Sequence, residues 1–215
     1  MSGNATVCKI YGGNGAELSE DIEGFKKVDI TTIIGENANT FKYTVLNPLT
    51  FIYNVAVPND WYTTVDDNQN DTLWGDNADK SAYDPCPRGW RIAPNGTWND
   101  FSRTEDASQP LSGTFPYYIK GVIQEDGKTG DFHQTNGRLY KGASSGTGTP
   151  LAWYPSAGVL APAIGAIRYA GAGGYIWQST VSQTNAIGLL FYLSNTMNNG
   201  IRARGYAFSI RCVQE

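Results

Sequence analysis

The chain has 215 residues, 40% hydrophobic and 17% charged, a globular composition large enough for one sizeable domain or two small ones. Its formal net charge of −4, with no cluster of Lys and Arg, lacks the basic face that nucleic-acid recognition requires, and no run of about 18 apolar residues exists to cross a membrane as a helix. The polar opening Met1-Ser2-Gly3-Asn4 carries no signal-peptide pattern, which fits either a cytosolic protein or a piece of a longer exported one.

An aromatic content of 13% with 25 Gly favours short strands and turns over long helices, so a β-rich or α+β protein is expected. In chain order, strands are predicted over 6–11, 27–34, 41–46 and 50–57, with a short helix around 17–25. Pro48 at the entrance of the fourth strand suits an edge or a first position. Residues 60–80 turn to Asp, Asn and Trp. Asp66, Asn68 and Asn70 have the spacing of half a calcium loop, but Asp71 stands where the turn glycine belongs and Asn77 where the bidentate Glu belongs. A solvated loop pinned by Trp61 and Trp74 is the simpler expectation.

Prolines at 85, 87 and 94 forbid a helix through DPCPRGWRIAP and confine a strand to 89–92. Asn95 then caps a predicted short helix carrying Trp98 and Phe101. Further strands are expected over 117–124 and 138–141, joined by Gly- and Ser-rich connections. The run Gly142-Ala143-Ser144-Ser145-Gly146 spells a nucleophile elbow, but it lacks the flanking strand and helix, and the single histidine, His133, lies upstream of it. One histidine and no CxxC also leave no His-based zinc site, and no metal or cofactor is expected. The glycines at 171, 173 and 174 are read as a turn, because Tyr175-Ile176-Trp177 continues as a strand with no helix N-terminus to receive an anion.

In the last stretch, Leu189, Phe191 and Leu193 fall on one face of a strand, and Gly188, Leu190 and Tyr192 on the other. An Asn-rich loop follows, then Arg202 and Arg204. Of the cysteines, Cys86 and Cys212 both flank strand-like runs. They admit two readings: a bridge closing roughly 126 residues, or three buried thiols together with Cys8.

The pieces DPCPRGWRIAP, Trp98 with Phe101, WYPSAG, GGYIWQST, Ala186 with Leu189 and Phe191, and RGYAFSIRCV follow one another as in a known pattern. Over about residues 45–215 the chain resembles the Fibrobacter-type major paralogous domain of Bacteroidetes surface proteins, which is related to the C-type lectin-like fold. That resemblance implies an α+β, C-type lectin-like fold, β-rich with short helices and long loops, whose first and last strands pair. It also implies a Cys86–Cys212 disulfide, leaving Cys8 over, and hence export to the extracellular space or cell surface. Residues 1–80 would be an N-terminal β-rich extension and 81–215 the ligand-binding domain. Trp90, Trp98, Trp177, Ser179 and Thr180 match framework positions, and Gln178 replaces a serine as a surface-facing amide.

The calcium sugar site of animal C-type lectins is not implied. Trp98-Asn99-Asp100 spells one of its triplets in the wrong place, and the partner triplets are absent. Retroelement-diversified variable proteins share the scaffold, and the alternation of fixed-looking and idiosyncratic positions suits such a region.

The expectation is therefore a non-enzymatic, extracellular ligand-binding or adhesion protein, part of a larger surface protein or fibre, taking a protein or glycan ligand on another surface. The candidate ligand-binding residues are Tyr154, Gln178, Gln183, Thr184, Gly188, Leu190, Tyr192, Asn195, Met197, Asn199 and Arg202. The competing classes are a structural module and a carbohydrate-active enzyme. The enzyme would need paired carboxylates from 60–79 or from Glu105, Asp106, Glu125, Asp126 and Asp131, since Glu215 is the only later acid.

Overall fold

The computed structural model describes residues 26–55, 59–75, 80–98, 118–120, 137–141, 150–192 and 196–215, with the backbone alone at 118–120, 138–141, 150–151 and 196–198. Expectations for 6–11, 17–25, Asn77, Asn99 to Phe101, the carboxylates Glu105, Asp106, Glu125, Asp126 and Asp131, His133 and 142–146 lie outside these residues. The chain divides by compactness into two units. Unit 1 takes the N-terminal part to Asn70, with Leu160–Arg168 and Ala203–Ala207; unit 2 takes Asp71–Val159, Tyr169–Arg202 and Phe208–Glu215.

In unit 1, strand β1 (Lys26–Asp29) pairs in parallel with β2 (Thr50–Tyr53), Lys26 opposite Thr50 and Asp29 opposite Tyr53. Parallel pairing needs a crossover of a dozen residues or more, and helix α1 (Phe41–Leu46) lies within it. A strand was expected over 41–46 from its Phe, Tyr, Thr and Val, and the helix corrects that. Local side chains decide the matter: Asn39 Oδ1 accepts the Phe41 N–H at 3.1 Å, Thr44 N–H reaches the Thr40 carbonyl at 3.0 Å, and Asn47 Nδ2 donates to the Tyr43 carbonyl at 3.1 Å. The strand expected over 27–34 also stops early, because Asp29 Oδ1 accepts the Thr31 N–H at 2.8 Å and turns the chain into a 3-10 helix at Ile30–Thr32. Ile30, Ile52 and Val55 form the core here, with Val28, Ile33 and Ile34 packed against them. Asp66–Asn68 is a second 3-10 turn.

Unit 2 contains strands β3 (Trp90–Ile92), β4 (Tyr118–Lys120), β5 (Gly137–Lys141), β6 (Pro150–Pro155), β9 (Gly173–Ser182), β10 (Asn185–Tyr192), β11 (Thr196–Ala203) and β12 (Cys212–Gln214). The hairpin of β7 (Val159–Ala161) and β8 (Ala166–Arg168) precedes β9. The sheets are β4–β5–β6, β11–β10–β9 and β3–β12, so the protein is β-rich with few short helices.

The expected pairing of first and last strands is present: β12 runs antiparallel to β3, Cys212 opposite Ile92 and Gln214 opposite Trp90. The Cys86–Cys212 disulfide lies beside this pair, with Cα atoms 5.7 Å apart. Asp84 braces the same corner, accepting the Cys86 N–H at 2.8 Å and the Ile92 N–H at 2.9 Å. Lys80 Nζ donates to the carbonyls of Cys86, Pro87 and Trp90 and lies 3.8 Å from the Asp84 carboxylate. The backbone from Asn95 to Trp98 is turn, and the Asn95 N–H donates to Thr180 Oγ1 on β9.

Candidate ligand-binding surface

Strand β10 is the middle of its sheet, and opposed residues of an antiparallel pair share a face. Leu189 lies opposite Ile176 and Phe191 opposite Gly174 on one face. Gly188 opposite Trp177, Leu190 opposite Tyr175 and Tyr192 opposite Gly173 make the other. The two faces expected from the sequence exist, but Leu189, Leu190 and Phe191 are all fully buried, so neither is simply a solvent face.

On the first face the Phe191 ring lies over Gly174, where a Cβ would overlap it. Tyr154 meets Phe191 edge-on at 6.4 Å, and its hydroxyl accepts from Trp98 Nε1 at 3.1 Å. The Arg211 guanidinium sits 4.2 Å from the centre of the Tyr154 ring and donates to the Trp153 carbonyl. Tyr154 is thus an interior residue with a cation on its face. Gln178 is also interior, 1% exposed, and the surface-facing amide expected there is corrected. Strand β9 is covered on both faces as far as Ser179.

The second face is roofed by Phe208, which stacks on Trp177 at 3.9 Å and tilts against Tyr175 at 5.1 Å. Ser209 fastens that segment, its carbonyl accepting the Trp177 N–H and its N–H donating to the Tyr175 carbonyl, both at 3.0 Å. A Cβ on Gly188 would lie 2.7 Å from the Ile176 carbonyl and 3.3 Å from the Phe208 ring, so the glycine lets the roof close. Leu190 fills the space over Gly200. Gly188 and Leu190 therefore serve packing.

This face opens only at the Tyr192 end. There Tyr175 and Tyr192 share a hydroxyl–hydroxyl bond of 3.0 Å with rings perpendicular at 5.6 Å, and Tyr169 stands 6.0 Å from Tyr192 and 6.1 Å from Tyr175. Gly173 is the floor; a Cβ on it would come within 3.0 Å of Tyr175 and 3.3 Å of Tyr192. Tyr175 is buried and Tyr192 half-buried, whereas Tyr169 is 58% exposed. Tyr169 also has a φ of 58°, a left-handed conformation that costs a bulky residue roughly 1–2 kcal/mol. Its carbonyl accepts the N–H groups of Ala172 and Gly173, which fix the turn that presents the ring.

Burial raises the Tyr175 ionisation far above the ordinary phenol. Its hydrogen bond to Tyr192 and the neighbouring Tyr192 and Tyr169 phenols add to this, and Arg202 opposes it. The phenol therefore stays protonated under physiological conditions. Arg202 is half-buried on β11, donating from Nη1 to the Ile201 carbonyl at 2.7 Å, and Asn199 is exposed on the same strand.

Gln183 and Thr184 form the two-residue turn between β9 and β10, with Gln183 left-handed (φ 54°) where Gly is usual. Asn185 and Tyr192 are seven residues apart, which puts this turn about 22 Å from Tyr192. The candidates thus separate. Tyr192 packs on Tyr175, Arg202 acts on the Tyr175 phenol electrostatically, and Gln183 with Thr184 lie at the far end. Tyr154, Gln178, Gly188 and Leu190 are inside. Asn195 and the Met197 side chain lie outside what is described. Sequence reasoning missed Tyr169, Tyr175 and Phe208. An aromatic placed inside the glycine-rich turn was the available signal for Tyr169; Phe208 gave none before its register was known.

No carboxylate occurs anywhere in 150–203, and no group of three His, Cys, Asp or Glu among the described residues could hold a metal. The surface offers rings, amides, phenols and a guanidinium, which are binding groups. Comparison with protein-family models, curated proteins and solved structures gives no match.

Proposed function

We propose that the chain is a non-enzymatic, extracellular ligand-binding or adhesion protein whose binding surface is the tyrosine-lined end of the β9–β10–β11 sheet. The observation that carries this is Tyr169: a large ring held in a left-handed turn and left mostly in solvent, against two supporting tyrosines, with an arginine in electrostatic reach. The left-handed backbone costs the fold strain for a ring left mostly in solvent, and recognition surfaces are built from rigid aromatics and Arg. The C-type lectin-like scaffold belongs to the same proposal, supported by the closure of β3 on β12. The disulfide beside that pair favours an exported protein, on a cell surface or fibre.

The test is binding of the purified chain to protein and glycan arrays, repeated with Tyr169→Gly. Glycine relieves the left-handed strain, so the variant should unfold no more easily than the parent while losing on the order of tenfold or more in binding. Unchanged binding would place the surface elsewhere. Retroelement diversification of the C-terminal strands finds support in the exposure of Gln183 and Asn199, but none at Gly188 and Leu190, where new side chains have no room.

A further inference from the structure

We propose that Asn95 is a site of self-modification, where the backbone nitrogen of Gly96 displaces the Asn95 side-chain amide as ammonia and water opens the resulting ring to aspartate and isoaspartate. The reaction needs an asparagine followed by a residue without a side chain, an unencumbered carboxamide, and a main chain free to fold back toward it. Asn-Gly occurs at 14, 95, 136 and 199, and of these asparagines Asn95 and Asn199 are among the described residues.

Asn95 meets each condition. It is exposed, and neither its carboxamide nor the Gly96 N–H makes a hydrogen bond among the described residues. Neither residue lies in a strand. Pro94 to Thr97 make a turn in which Gly96 has a φ of 91°, open to glycine, and the Thr97 N–H reaches the Pro94 carbonyl at 3.3 Å, longer than a typical hydrogen bond. Thr97 Oγ1 donates to the same carbonyl at 2.8 Å. Asn199 is the internal contrast. It is exposed and has the same successor, but it lies in β11 beside β10, with Leu190 packed on Gly200. Folding the extended main chain back toward the side chain there disrupts strand pairing.

The steps sum to hydrolysis of one amide. The Gly96 nitrogen gives up its proton and bonds to Asn95 Cγ, the Cγ–Nδ2 bond breaks, and the departing nitrogen leaves as ammonia. Water then breaks one of the ring's carbonyl–nitrogen bonds. Opening at Cγ gives aspartate; opening at the main-chain carbonyl gives isoaspartate, whose chain runs through Cβ and Cγ. Both products carry a carboxylate where the protein had a neutral amide. Isoaspartate also adds one carbon to the main chain between two fixed points, the Ala93 carbonyl that accepts the Ser179 N–H at 3.0 Å and the Trp98 indole that donates to the Tyr154 hydroxyl at 3.1 Å. The bonds from Thr97 to Pro94 span that carbon, so isoaspartate opens the turn.

The experiment holds the purified full chain at neutral pH and physiological temperature, folded or in denaturant, and follows each Asn-Gly peptide by its gain of one mass unit and by isoaspartate content. In denaturant, Asn95 and Asn199 should convert at similar rates. In the folded chain Asn95 should keep that rate, while Asn199 should slow on the order of tenfold, the effect of having to open a strand hydrogen bond. Asn95→Gln should abolish the change at that peptide alone. Aged chains carrying isoaspartate should unfold at a lower denaturant concentration than fresh protein, whereas Asn95→Asp, which has the charge without the added carbon, should not. A folded chain in which Asn95 is as protected as Asn199, or stays an amide, would overturn the site. An unchanged unfolding midpoint in the isoaspartate fraction would overturn the opened turn.

Discussion

At the scale of single residues, the sheet depends on bare glycine positions facing aromatic rings. Phe191 occupies the space above Gly174, so Gly174→Ala forces the ring off its site. It is expected to cost about 1–3 kcal/mol, read as a lowered denaturation midpoint. Tyr175 makes a second prediction, in pH. Its folded ionisation is raised above that of an unfolded tyrosine, so the native state holds the proton more tightly and its contribution to stability is fully present below about pH 10. As pH rises past 10 the unfolded chain ionises first and stability falls. Unfolding followed from pH 8 upward should show this decline, smaller in Tyr175→Phe. Asp29 behaves oppositely: hydrogen bonds from the Thr31 side chain, the Thr31 backbone and the Asn54 side chain lower its ionisation, so its charged form is favoured in the folded protein.

At the scale of elements, the most heavily braced feature is the corner where β3 meets β12. Asp84 fixes the backbone at Cys86 and Ile92, and Lys80 gathers three carbonyls and the Asp84 carboxylate around one ammonium. Removing the charge leaves a buried carboxylate and several carbonyls without it. Lys80→Met should therefore cost about 3–5 kcal/mol, measured by chemical unfolding. Helix α1 is the opposite case. Phe41, Val45 and Leu46 are exposed and no residue of the helix is buried, so its form rests on local hydrogen bonds at Asn39, Thr40 and Asn47. Those asparagines were visible in the sequence. The β-rich composition of FKYTVL outweighed them only while no strand partner had to be found.

At the scale of the whole molecule, the disulfide ties positions separated by 126 residues, enclosing most of unit 2. In the chain-entropy treatment, closing so long a loop stabilises by about 4–5 kcal/mol. A double Cys86→Ser, Cys212→Ser variant should lose a stability of that order, and reductant should lower the melting temperature of the parent but not of the variant. Peptide mapping without reduction should recover Cys86 joined to Cys212; a free Cys86 in oxidised protein would contradict the pairing.

The sequence by itself determined what local chemistry can dictate. It fixed the strand confined by the prolines around Cys86, the alternation of β10 and the absence of acids from the last strands, but the turn read over Gly171, Gly173 and Gly174 holds only at Gly171, because Gly173 and Gly174 open strand β9. The pairing of the first and last strands of the C-terminal part, and of Cys86 with Cys212, was legible through resemblance, not through the residues alone. Tertiary structure decided which alternating face is open. Gly188, Leu190 and Tyr192 share a face in either description, but only the return of Phe208 across Trp177 shows that the first two are roofed and the third is not. It decided equally that Tyr154 and Gln178 are interior and that Gln183 lies about 22 Å from Tyr192. Periodicity assigns a side chain to a face; what covers that face comes from residues distant in the chain, and no local pattern encodes their arrival.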